Sequence, residues 1–141
     1  MTLRKKTYLW ALVLISIISI ARANPTFTLN CPKEITVSEK LTTAYPQWRE
    51  FLPVVKHYLS GVELYDSDPE NLMSLKPDVT SREKSVWRLE PERSIYVVCR
   101  YNATGVQLTQ VLPTNITSCT VDYDTHIKGD NGFVPMRMSC K

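Results

Sequence analysis

The second half of this 141-residue chain alternates apolar and polar side chains with a period of two, the pattern of β-strands that bury one face. Between residues 94 and 101 the side chains of Ile95, Val97, Cys99 and Tyr101 fall on one face. The alternation returns at residues 106–112, 119–124 and 134–140, and residues 35–37, 62–65 and 86–89 are compatible with further strands. About seven short strands predict a mainly β protein, built as an antiparallel sheet, sandwich or barrel.

Helical signals are fewer. Residues 68–70, Asp-Pro-Glu, supply an acidic N-cap, a proline at the first helical position and an acid in the first turn. They predict one short helix that ends before Pro77. Trp48 opens a second run with helical spacing, but Pro46 and Pro53 limit any helix there to a turn or two.

The N-terminus has the order of features found in export signals. Basic residues at positions 4–6 precede an apolar run over residues 9–20, and Ala21-Arg22-Ala23 follows as a small-x-small cleavage site. We therefore predict a signal peptide over residues 1–23 and a single exported β-rich domain over residues 24–141. A retained membrane anchor is the less favoured alternative, because a helix needs about 20 apolar residues to span a bilayer.

Export changes the meaning of the charge. Four of the 17 Lys and Arg residues lie in the predicted signal peptide, which leaves 13 against 14 Asp and Glu, a net charge of about −1. A domain with that balance lacks the positive face that phosphate binding requires, so nucleic acid is not an expected partner.

The cysteines indicate two disulfides. Cys31, Cys99, Cys119 and Cys140 all lie in the exported part, and an even number in such a chain can pair in three ways. A metal site would need closely spaced ligands, whereas the nearest two cysteines, Cys99 and Cys119, are 20 positions apart. The strand phases place all four inward and favour Cys99 with Cys119 across neighbouring strands, and Cys31 with Cys140 joining the chain ends.

No residue pattern predicts catalysis, a metal or a cofactor. The acidic residues between 63 and 70 lack the glycine and the distal glutamate of a calcium loop, and a strand end followed by a helix cap explains them as well. Neither His57 nor His126 lies in a ligand or protease motif, and no G-x-S-x-G marks a nucleophile. An enzyme is therefore the third-ranked reading. We assign Trp87 and Tyr101 to packing and Trp48, in its proline-bounded segment, to an exposed contact.

A set of short motifs resembles a family of small uncharacterised exported proteins of Gram-negative bacteria. The resemblance covers nearly all of the chain after residue 23, and it implies a periplasmic location. It rests on the order and spacing of Cys31-Pro32, Leu64-Tyr65-Asp66, Cys99-Arg100-Tyr101 and Ser118-Cys119-Thr120-Val121-Asp122-Tyr123-Asp124. Ser67 departs from the family pattern, which has glycine after Tyr-Asp for a tight turn.

The chain is also loosely similar to the periplasmic lysozyme inhibitors, which are small, exported, β-rich and disulfide-bonded. Their loops place basic or hydroxyl side chains against the paired carboxylates of the enzyme's cleft. This similarity points to two loops here, residues 81–85 with Arg82 and Lys84, and residues 126–132 with Lys128.

These observations favour a periplasmic binding or interaction module without catalytic activity. Its expected partner is an envelope protein or another cell-wall-related molecule, with no stable membrane anchor after signal cleavage. An inhibitor of a cell-wall hydrolase is the alternative, and a small secreted hydrolase ranks third.

Overall fold

The computed structural model describes residues 26–141, and within them the chain is mainly β. The predicted signal peptide, residues 1–23, lies outside the described residues. The strands are β1 (Phe27–Leu29), β2 (Glu34–Val37), β3 (Val55–Asp66), β4 (Ser74–Leu75), β5 (Val79–Thr80), β6 (Lys84–Arg88), β7 (Ile95–Tyr101), β8 (Gln107–Val111), β9 (Ser118–Gly129) and β10 (Gly132–Cys140).

The strands form two antiparallel sheets. The first has the order β1-β10-β9-β6-β5, and the second has the order β2-β3-β7-β8, with β4 paired to the end of β3. The two sheets come together where β10 lies close to β3. This arrangement confirms the predicted mainly β, antiparallel fold.

The sheets share one core, and the period-two pattern supplies it. Ile95, Val97, Cys99 and Tyr101 of β7 are all buried in it, as their alternation predicts. The first sheet contributes Trp87, Cys119, Val121, Met138 and Cys140, and β3 contributes Leu59, Val62 and Leu64. Trp87 Nε1 donates a hydrogen bond to Leu75 O (2.9 Å), and Tyr101 Oη donates one to Pro32 O (3.0 Å), so both are packing residues as predicted.

The number of strands is higher than predicted. The described part of the chain has ten strands instead of about seven, because β1, β4 and β5 are only two or three residues long. Segments this short carry no alternation to detect, and they are strands only because they pair with β10, β3 and β6.

The predicted short helix is a single 3₁₀ turn, Pro69–Asn71. Its start is as predicted, since the Asp68 side chain accepts a hydrogen bond from Glu70 N (2.9 Å). It ends at Leu72 in a left-handed conformation, because β4 turns the chain back to pair with β3. The segment that begins at Trp48 forms no helix.

Both disulfides form, but the predicted pairing is wrong. Cys119 pairs with Cys140, directly opposite it across β9 and β10 with Cα atoms 4.1 Å apart. Cys31 pairs with Cys99, with Cα atoms 5.8 Å apart. The prediction assumed that Cys99 and Cys119 lie on neighbouring strands, whereas β7 and β9 lie in different sheets and each cysteine pairs with another partner.

In residues 26–141 there is no helix long and apolar enough to cross a membrane.

Candidate functional site

A long loop between β2 and β3, residues 38–54, carries six exposed large apolar side chains. We call it the aromatic loop. Trp48, Phe51 and Val54 are 82%, 80% and 85% exposed. Leu41, Tyr45 and Leu52 are exposed in the same loop. Single exposed apolar residues are ordinary, but a concentration of them in one segment marks an interaction surface.

Local hydrogen bonds give the aromatic loop a defined shape. Trp48 N donates to Tyr45 O (2.9 Å), which closes a tight turn with Pro46 at its second position, where proline already has the required φ. Leu41 N donates to Glu50 Oε1 (2.6 Å) and so joins the two arms of the loop. Tyr45 and Trp48 are the first and last residues of this turn, so the hydrogen bond keeps their backbones close together at the tip of the loop.

The aromatic loop is also tied to the second sheet. Thr104 Oγ1, in the turn between β7 and β8, donates to Glu39 Oε1 (3.2 Å). At the base of the loop Lys56 Nζ donates to Glu34 Oε1 (2.8 Å), and this contact raises the pKa of Lys56. A shallow hollow of about 620 Å³ lies within the loop, lined by Tyr45, Trp48 and Phe51 together with both cations of the segment, Lys40 and Arg49.

A second concave feature, the inter-sheet cleft, has a volume of about 330 Å³. Residues 60–63 of β3 and Arg100 of β7 line one side. The turn between β5 and β6 and the hairpin between β9 and β10 line the other side. The Arg82 guanidinium lies 5.1 Å from the centre of the Phe133 ring, in a cation–π contact that joins these two hairpins.

Several polar groups that line the inter-sheet cleft are paired with each other or with neighbouring residues. Arg100 Nη1 donates to Glu63 Oε1 (2.5 Å), and Tyr65 Oη donates to Glu63 Oε2 (3.1 Å). Burial, and then the neighbouring Glu63 carboxylate, raise the pKa of Tyr65. Tyr123 Oη donates to the buried Ser85 Oγ (3.0 Å). The Glu63–Arg100 pair joins β3 to β7 and the Tyr123–Ser85 bond joins β9 to β6, so each contact stabilises one of the two sheets.

The histidines lie away from both concave features. His57 is buried in β3, where Nδ1 lies 2.8 Å from Asn102 O, and His126 is exposed beside Asp124. Neither lines the cleft, so no histidine can act as a base for its serines. Within residues 26–141 no group of three or more His, Cys, Asp or Glu side chains could hold a metal ion.

The predicted contact residues fall into separate places. Trp48 lies in the aromatic loop, and Arg82 lines the inter-sheet cleft. Lys128 lies opposite Phe133 in β10, and Arg82 contacts the same ring, so the two candidate loops lie next to each other. Lys84, the first residue of β6, instead faces Asp122 in β9 and does not line the cleft.

The sequence interpretation missed the neighbours of Trp48. Phe51 and Val54 are as exposed as Trp48, and Lys40 and Arg49 flank it. The signal was present in the sequence, because the prolines that exclude a long helix there also leave these apolar residues without a regular element to bury them.

A third concave feature, an apolar groove, lies between β3 of the second sheet and β9 and β10 of the first sheet. It has a volume of about 410 Å³ and is lined by exposed Tyr58, Ile127 and Met136, with Lys33 and Asp124 at its ends. The apolar lining of this groove comes from β3, β9 and β10, whereas the exposed apolar side chains of the aromatic loop lie in one segment; the lining consists of Tyr58, Leu59, Ile127, Val134, Pro135 and Met136.

Two comparisons find related proteins. The family model described as "Type VI secretion system Tli immunity protein" matches residues 53–141, which include β3 to β10 and the inter-sheet cleft. A protein of Azospirillum brasilense, described as an uncharacterized 16.3 kDa protein in the trpG 5' region, is 26% identical over 132 residues. That match covers 84% of this chain and 87% of the relative. No solved structure matches the chain.

Proposed function

Because this chain belongs to the Tli immunity protein family of the type VI secretion system, we propose that it binds an effector protein of such a system and neutralises it. Immunity by binding needs a stable surface that the partner recognises, and it needs no catalytic group. The paired polar groups of the inter-sheet cleft and the position of both histidines are consistent with that role.

The structural observation that carries the proposal is the aromatic loop, of which only residues 53–54 lie within the range that the family model matches. Trp48, Phe51 and Val54 are at least 80% exposed in a segment that its own hydrogen bonds hold in shape. Exposing such side chains costs solvation free energy in the isolated protein, about 1.5 to 3 kcal/mol for each large apolar side chain that a partner would bury. Aromatic anchors of this kind dominate the energy of protein interfaces.

The proposed place of action is the periplasm. The order of basic, apolar and small residues over positions 1–23 supports export with signal cleavage and a single domain over residues 24–141. The two disulfides support an oxidising compartment, where such bonds persist.

A growth competition tests the proposal. Recipient cells lacking this gene are mixed with parent cells whose type VI system is functional, and survival is compared with that against parent cells whose system is inactivated. Full-length protein should restore survival, whereas a chain without residues 1–23 should not. Equal survival of recipients with and without the gene against the functional system would contradict the proposal.

A second candidate function, inhibition of a cell-wall hydrolase, is favoured by the meeting of the two basic hairpins. Arg82 and Lys128 both lie beside Phe133, as an inhibitor that presents cations to a carboxylate-lined cleft would require. The test is lysis of cell walls by lysozymes of several types, with and without the oxidised protein. Stoichiometric inhibition that Arg82→Ala and Lys128→Ala abolish would support this candidate, and full lysis in every case would remove it.

A further inference from the structure

We propose that the aromatic loop docks onto a surface of the effector that combines an apolar pocket with flanking acidic side chains. This inference rests on the proposed function and adds the chemistry of the partner. It follows from two features of the loop: its preformed aromatic tip, and the hydrogen bonding of its acidic side chains but not of its basic ones.

The first feature is the tip. The turn from Tyr45 to Trp48 is closed by a backbone hydrogen bond of 2.9 Å, and the arms of the loop are joined by the 2.6 Å bond from Leu41 N to Glu50. A loop already held in one shape loses less conformational entropy on binding than a free segment. Tyrosine, tryptophan and arginine are the residue types most enriched among the residues that dominate interface energies. The tip carries one of each, Tyr45, Trp48 and Arg49. The tip therefore fits an apolar pocket in the partner.

The second feature is the distribution of charge around the tip. Glu34, Glu39 and Glu50 each accept a hydrogen bond from this chain, from Lys56, Thr104 and the Leu41 amide. Lys40 and Arg49 line the same hollow as Trp48, and neither has an ion pair within residues 26–141. Glu39 and Glu50 line the hollow as well and keep their negative charge, but each already accepts a hydrogen bond from this chain, whereas Lys40 and Arg49 have no side-chain hydrogen bond or ion pair within residues 26–141. A partner that pairs with them presents acidic side chains around its apolar pocket.

A protein partner fits these charges better than a membrane does. Binding to anionic lipid typically uses clusters of 4–8 basic residues, about 1 kcal/mol for each. The aromatic loop has two, Lys40 and Arg49, and the exported part of the chain carries a net charge of about −1. A second copy of this chain fits less well too, because the acids that it would bring to a symmetric contact, Glu39 and Glu50, already accept hydrogen bonds from their own chain.

The competition assay with four versions of the full-length chain tests this inference. Trp48→Ala with Phe51→Ala removes the apolar anchors, and Lys40→Glu with Arg49→Glu reverses the free cations. The matched control, Lys76→Glu with Arg88→Glu, makes the same change of charge at exposed positions that do not line the hollow. Immunoblots of periplasmic extracts and circular dichroism verify equal amounts and equal folding, which the exposure of all six side chains leads us to expect.

We expect survival to fall to that of recipients without the gene for the aromatic variant. The cation-reversal variant should need about tenfold more protein for the same survival, and the control should match the wild type within about twofold. If the wild type protects and both loop variants protect equally well, the docking inference is wrong while the proposed function stands. If the wild type gives no protection, the proposed function fails and the effector is removed as the occupant.

Two measurements on the purified domain test the two alternative partners of the aromatic loop, a lipid membrane and a second copy of this chain. Cosedimentation with vesicles of phosphatidylethanolamine and phosphatidylglycerol should leave the protein in the supernatant, and light scattering after gel filtration should give a monomer. Vesicle binding that Trp48→Ala with Phe51→Ala abolishes would assign the loop to a lipid surface and overturn the inference. A dimer that the same variant dissociates would overturn it in favour of self-association.

Discussion

Ser67 occupies a backbone conformation that favours glycine. Its φ is +78°, in the turn that follows β3, and its amide donates a hydrogen bond to Ser94 O (3.0 Å). The chain therefore bends at Ser67 in a conformation that glycine adopts without strain. A side chain in this region costs about 1 kcal/mol or more.

Ser67→Gly should accordingly stabilise the protein. Two effects oppose the relief of strain: glycine raises the conformational entropy of the unfolded chain, and the exposed 3.3 Å hydrogen bond from Asn71 to Ser67 Oγ is lost. We expect the relief of strain to be the larger effect, with a gain in the free energy of unfolding of up to about 1 kcal/mol. Urea denaturation of the oxidised domain measures it. A loss of stability would show that the serine hydroxyl contributes more than the strain costs.

The two described tryptophans should separate binding from stability. Trp48 is 82% exposed, so Trp48→Ala should change the free energy of unfolding by less than about 0.5 kcal/mol while it abolishes protection. Trp87 is 3% exposed and bonded to Leu75 O, so Trp87→Ala should cost about 3 to 5 kcal/mol. Denaturation of both variants checks this, and a large loss of stability for Trp48→Ala would mean that the loop packs on the fold.

Asp124 should titrate below the ordinary range of an aspartate. A hydrogen bond from the His126 backbone amide (2.9 Å) is the main cause of its lowered pKa, and the His126 imidazole adds to it. A lowered pKa in the folded state gives a stabilising contribution that is complete above the ordinary pKa of aspartate and is lost as the pH falls through the folded-state value.

Carbon-detected NMR titration of the carboxyl groups measures this pKa. The wild-type value should lie below that of a model peptide, and in His126→Ala it should remain lowered because the backbone amide is still present. A return to the ordinary value in that variant would assign the effect to the imidazole instead.

At the scale of elements, the strands with their own alternation were predictable and the others were not. The alternation within residues 94–101 is visible in the sequence, and β7 follows it. In contrast β5, only Val79–Thr80, is a strand because β6 offers it a partner. Disulfide pairing failed for a related reason, since the separation of β7 and β9 into different sheets is set by contacts across the whole fold.

The site divides in the same way. The exposure of Trp48 could be predicted from its proline-bounded segment, which is a local property. The meeting of Arg82 with Phe133 could not, because it depends on how β5, β6, β9 and β10 are arranged in the first sheet. The sequence also did not predict that Lys40 and Arg49 lack ion-pair partners, because this depends on the hydrogen bonds that the neighbouring Glu50 and Glu39 accept in the folded chain.

The two disulfides should contribute unequally to stability. Cys31 and Cys99 are 68 positions apart, whereas Cys119 and Cys140 are 21 apart. In the chain-entropy description the longer closure restricts the unfolded chain more, about 4 kcal/mol against about 3 kcal/mol. Replacing both members of each pair by alanine and measuring urea denaturation checks the order. A greater loss from the β9–β10 pair would indicate that cross-strand packing outweighs chain entropy.

At the scale of the whole molecule, a crosslinked β framework holds one exposed loop with aromatic side chains. The buried core and the Cys31–Cys99 disulfide hold the sheet on which the loop is anchored, and the loop itself has no packing role for Trp48 or Phe51. Rigidity of the framework and exposure of the loop together suit a protein that acts by binding.

Backbone hydrogen exchange, measured for the oxidised domain alone and in complex with the effector whose toxicity it relieves, tests this account most directly. We predict that the complex slows exchange in residues 41–54, and that residues 81–85 and 126–132 exchange as in the free protein. Slowed exchange confined to those two hairpins, with residues 41–54 unchanged, would contradict the account and place the interface at the inter-sheet cleft.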